Sequence, residues 1–79
     1  MALPYDSNAS LPAAVKDVLP KHAQTIYREA FNNAWDEYAS PKDRDGDDSR
    51  EEVAHKVAWS AVKQSYVKDE QGKWVQKDD

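Results

Sequence analysis

Residues 20–40, PKHAQTIYREAFNNAWDEYAS, carry the pattern that decides the fold. Ala23, Ile26, Tyr27, Ala30, Phe31, Ala34, Trp35 and Tyr38 recur at spacings of three and four, the signature of one broad apolar stripe along a helix. Arg28, Glu29, Asp36 and Glu37 fall off that stripe. Pro20 suits the first turn, because its fixed φ and missing N–H cost nothing there. Ser40-Pro41 provides the stop, since the residue before a proline is pushed out of helical geometry.

Upstream, residues 1–9 read as a flexible arm. Ser10 is expected to N-cap a short helix with Pro12 in its first turn and Leu11, Val15, Val18 and Leu19 on one side. Downstream, KDRDGDD is a loop turned by Gly46. Ser49 and Glu52 then form a capping box, with Glu51 and Glu52 favouring the positive end of the helix they open. That helix, REEVAHKVAWSAVKQSY, shows one stripe of Val53, Val57, Ala58, Ala61 and Val62 and an adjoining one of His55, Trp59, Val62 and Tyr66. Together they exceed a one-sided apolar face, so the helix is mostly buried or presents an edge to a partner. The tail changes period: YVK and KWVQ flank the turn DEQG as a hairpin, with Trp74 expected to pack it onto the helices and the Leu3-Pro4-Tyr5 arm a candidate third strand. The expected fold is mainly α (α+β): two long helices, a short N-terminal helix and a small C-terminal β-hairpin. One domain spans 10–76, followed by a disordered tail at 77–79.

A chain of 79 residues builds a small core, so its eight aromatic residues weigh heavily in stability. There are no cysteines, which removes disulfides and thiolate chemistry and fits a cytoplasmic setting. A net charge of −4 and a pI near 5.0 argue against duplex nucleic acid and against electrostatic docking on anionic lipid. MALPYDSNAS has neither the basic nor the apolar region of a signal peptide, and no run is long enough to span a bilayer.

The segment DRDGDDSREE, residues 43–52, places six acidic residues in ten positions. A calcium-binding EF-hand loop needs glycine at position 6 and a glutamate at position 12. Counted from Asp43 those positions hold Asp48 and Ala54; counted from Asp45 they hold Arg50 and Lys56. Both registers fail, and Arg44 and Arg50 offset the carboxylates, so the segment reads as a solvated loop and helix cap, with a weak divalent-cation sensor as the alternative. His22 and His55 sit on different helices without enough further ligands for zinc. No nucleophile elbow, phosphate loop or dinucleotide fingerprint is present. The expectation is a non-enzymatic chain with no cofactor, no metal and no catalytic residue.

LPKHAQTIYREAFNNAWDEY, followed by SREEVAHKVAWSAVKQSY, closely resembles the ChaB family of enteric bacteria, over roughly residues 10–75. The resemblance implies a small, mostly helical cytosolic domain without established catalytic residues. It also implies regulation of a neighbouring sodium/calcium–proton antiporter, ChaA, at its cytosolic face. The expected partner is thus a protein, a ChaA-like membrane antiporter, met by a monomer that does not itself insert into the membrane. The candidate contact surface is Asp43, Asp45, Asp47, Asp48 and Arg50 with the helix edge at Lys56 and Trp59.

Overall fold

The computed structural model describes residues 4–39 and 49–77. A 3₁₀ turn at Asn8–Ser10 leads to α1 (Ala13–Lys16), α2 (Lys21–Glu37), α3 (Arg50–Ser65) and a hairpin of β1 (Tyr66–Lys68) and β2 (Trp74–Gln76). The architecture is the mainly helical one expected, with two long helices and an antiparallel two-stranded sheet.

Pro20 caps α2, and its carbonyl accepts from the Gln24 N–H at 2.9 Å. The Gln24 side chain reaches back to the carbonyls of Lys16 and Leu19 at 3.2 and 2.9 Å, supplying donors where α1 ends. At its other end α2 closes with the Tyr38 N–H on the Ala34 carbonyl at 2.8 Å. The expected stop at Ser40-Pro41 lies outside the described residues. Ser49 caps α3 as the capping-box reading requires, its Oγ accepting from the Glu52 N–H at 3.1 Å.

The core lies where α2 meets α3. Ala23, Tyr27, Phe31 and Ala34 of α2 and Ala54, Ala58 and Val62 of α3 are buried, joined by Leu11, Val15, Leu19 and Tyr66. Four of the seven helix residues are alanines exposed by 1% or less, so the two helices meet through small side chains. Val53, Val57 and Ala61, expected on the core side of α3, are only partly buried. Ala58 and Val62 are buried as expected, and Ala54 joins them at the same spacing of four.

Three local expectations are corrected. Ser10 does not cap α1: it ends the 3₁₀ turn, its hydroxyl donates to the Asp6 carboxylate at 2.8 Å, and Pro12 takes the capping position. Val18 stands 44% exposed rather than sharing the buried side of Leu11, Val15 and Leu19. Tyr5 does not add a strand. Its N–H donates to Asn32 Oδ1 at 3.2 Å and its carbonyl accepts from Asn32 Nδ2 at 2.7 Å. Asn32 is the buried polar residue of α2, and both ends of its amide are used in this tie. Nearby, Asn8 donates to Thr25 Oγ1 at 3.0 Å and accepts from Arg28 Nε at 2.8 Å.

In the hairpin, Tyr66, Val67 and Lys68 face Gln76, Val75 and Trp74. The Asp69 carboxylate accepts from the N–H groups of Gln71 and Lys73 at 2.9 and 2.8 Å, and Gly72 takes the positive φ of 81° that the turn demands. Tyr66 anchors the hairpin from within the core, and its hydroxyl lies 3.1 Å from His22 Nδ1. Among the described residues no helix is long and apolar enough to cross a membrane.

Candidate protein-docking groove

A groove of about 480 Å³ opens between α1 and the first turns of α3. Tyr27 and Phe31 of α2 line it, Tyr5 adds a third ring, and Glu51, Glu52 and His55 come from α3. Helical spacing explains the last set: residues three and four apart share a face, so Glu51, Glu52 and His55 converge. The Tyr5 ring reaches the site because its backbone is held by Asn32, and it lies 4.9 Å from Phe31, tilted by 55°.

Beneath the groove, the Tyr27 hydroxyl lies 2.8 Å from His55 Nδ1. Burial pushes this hydroxyl up from 10.0 to about 12, helped by the neighbouring Tyr5 and by the negative charge of Glu51. Tyr5 is raised as well, by burial first and then by Glu51. Both phenols therefore stay neutral at physiological pH.

The surface continues along α3. His55, Lys56, Trp59 and Lys63 border a second, shallower depression. A third lies where Trp59 and Lys63 meet Lys68 and Trp74 of the hairpin, Ala14 of α1 and Val18 just beyond it. Ala14 borders both the first and the third, so these two flank α1. From Glu51 to Lys63 the helix rises about 18 Å. Charge changes along this length: Glu51 and Glu52 stand at one end, and Lys56, Lys63 and Lys68 follow towards the other.

Aromatic rings run beside the whole face. Trp35 stacks on Phe31 at 6.1 Å, Phe31 on Tyr27 at 5.9 Å, Tyr27 meets Trp59 edge-on at 5.4 Å, and Trp59 meets Trp74 at 5.4 Å. Trp59 is thus a half-buried member of this ladder that also lines the second and third depressions. Lys56 is exposed and borders the first and second depressions. Arg50 turns inward: its guanidinium lies 4.2 Å from the centre of the Trp35 ring and its Nε donates to the Trp35 carbonyl at 2.6 Å. It ties the end of α2 to the start of α3. Asp43, Asp45, Asp47 and Asp48 lie outside the described residues. Among the described residues no cluster of three or more His, Cys, Asp or Glu could hold a metal ion. Trp74 packs the hairpin onto the helices as expected, against Trp59, but sequence reasoning missed Tyr5 and Lys68 as parts of this face, because no local spacing aligns them with α3. The groove offers ring faces, carboxylates and ammonium groups, the means of noncovalent recognition.

The sequence profile of the ChaB family matches residues 11–77. Over 75 residues the chain is 57% identical to a protein of Escherichia coli (strain K12) named "Putative cation transport regulator ChaB", covering 95% of this chain and 99% of that one. A Shigella flexneri protein of the same name matches to the same extent. Among solved structures, the "NMR solution structure of the putative cation transport regulator ChaB" superposes with a TM-score of 0.79 at 57% identity, covering 95% of this chain and 100% of that one.

Proposed function

The chain belongs to the ChaB family, and from that premise we propose that it is a non-enzymatic regulatory domain acting in the cytoplasm by protein–protein contact. Residues 10–76 work as one unit, and the partner is a cation/proton antiporter of the ChaA kind. The relatives' shared name supports the regulatory role. The observation that carries the mode of action is the groove along α3, whose aromatic lining is flanked by acidic residues at one end and lysines at the other. Buried aromatic anchors ringed by charge are what productive interfaces use. An 18 Å strip suits a helix of about three turns or a short extended segment. Lys56 and Trp59 lie at its middle, where the lysines steer an approaching partner and Trp59 supplies contact area.

The test is a binding measurement between the full chain and a purified ChaA-type antiporter in detergent. Lys56→Glu with Lys63→Glu reverses charge at two exposed positions and is expected to weaken binding about tenfold or more while the circular dichroism spectrum is unchanged. Undiminished affinity in that variant excludes this face as the contact, and absence of binding by the wild-type chain excludes the partner.

A further inference from the structure

We propose that the acidic end of the groove is a receptor for an arginine side chain of the partner polypeptide, its guanidinium laid against the part-exposed ring of Tyr5, which Phe31 backs from the core, and its N–H fork bonded to the Glu51 carboxylate. This inference rests on the docking reading above and specifies what that face recognises.

Three observations converge on it. The Tyr5 and Phe31 rings form a tilted pair, 4.9 Å between centres, on the wall of a groove of about 480 Å³, ample for a guanidinium and its methylene stem. Ring faces carry negative quadrupole potential and attract cations. Two carboxylates, Glu51 and Glu52, stand on the same groove, and acidic residues predominate in the chain as a whole, with a net charge of −4. The influence of Glu51 reaches both phenols at this end, since its charge contributes to holding the protons of Tyr5 and Tyr27. A cation entering there meets a negative field and polarizable rings together.

The chemistry selects arginine over lysine. A planar guanidinium stacks on an aromatic ring while donating two parallel hydrogen bonds to a carboxylate, and a compact, strongly hydrated ammonium does neither as well. The molecule already uses this stacking once, where the Arg50 guanidinium lies 4.2 Å from the centre of the Trp35 ring. Lys56 on the rim marks where the groove turns basic, so the site takes one positive side chain at the Glu51 end.

The experiment is an NMR titration of the isotope-labelled full chain with N-acetyl-arginine methylamide, set against N-acetyl-citrulline methylamide, which has nearly the same shape and no charge. The arginine probe is expected to give saturable shifts at Tyr5, Phe31, Glu51 and His55 that fade as salt rises, and the citrulline probe none. Glu51→Gln weakens the response about tenfold, the size expected for one charge-assisted hydrogen bond. Tyr5→Ala weakens it too, and because Asn32 holds Tyr5 through its backbone alone, that variant keeps the tie. Equal responses to the two probes, or an unaltered response in Glu51→Gln, overturn the proposal. The antiporter measurement separates the two readings. An antiporter that binds Glu51→Gln as well as wild type overturns the arginine receptor and leaves docking standing. A probe that seats on Tyr5 and Glu51 while the antiporter does not bind upholds the receptor and removes the named partner.

Discussion

Tyr27 joins the core to the candidate groove. Its ring is 1% exposed and packs on Phe31 and Trp59, while its hydroxyl meets His55. Because burial holds the phenol proton up to about 12, the folded chain keeps that proton at a pH where the unfolded chain, titrating at 10.0, has lost it. The stabilisation is whole below pH 10 and drains away as pH climbs towards 12. An ultraviolet tyrosinate titration is therefore expected to show a late component near pH 12, with the melting temperature falling across the same interval. Tyr27→Phe removes the late component, flattens that decline, and costs about 1 kcal/mol at neutral pH through the lost hydrogen bond. Sequence pattern alone placed Tyr27 in the core, since its stripe neighbours define the apolar face. It gave no hint of His55 as partner, because a contact across 28 residues leaves no mark in local spacing.

For whole elements, local chemistry was readable wherever it had no competitor. Period three-and-four marked α2 and α3, and alternation around DEQG marked the hairpin. The Ser49 cap follows from side-chain chemistry alone, and Ser49→Ala is expected to cost about 1 kcal/mol in urea unfolding and to speed amide exchange in the first turn of α3. Ser10 shows the opposite case. Its hydroxyl found Asp6 four residues earlier, an alternative that short polar side chains always offer, and the helix began beyond Pro12 instead. On α3 the buried Ala58 and Val62 were legible, but Ala54 was not, because a lone alanine one turn past the cap carries little hydropathy signal even though such alanines set the helix–helix distance.

At the scale of the molecule, those alanines decide how close α2 and α3 lie. Ala58 is fully buried, and Ala58→Leu inserts volume where the helices meet. The expected penalty is about 1–3 kcal/mol, read as a lower urea midpoint with a weakened near-ultraviolet spectrum as the ring ladder is disturbed. Small-to-large change at exposed Ser60 leaves both unaltered. The candidate groove is a product of this same scale. Sequence reading named Lys56 and Trp59 from the over-wide face of α3, and both border its depressions, but Tyr5 at one end and Lys68 and Trp74 at the other arrive only through tertiary packing. That packing has an optical consequence. The indoles of Trp59 and Trp74, 5.4 Å apart and inclined by 33°, are near enough for their electronic transitions to couple. Such a pair contributes a bisignate exciton band to circular dichroism that is independent of helix content. Lifting the hairpin off α3 extinguishes that band while the helical signal persists, so the chain carries its own label-free reporter of hairpin docking.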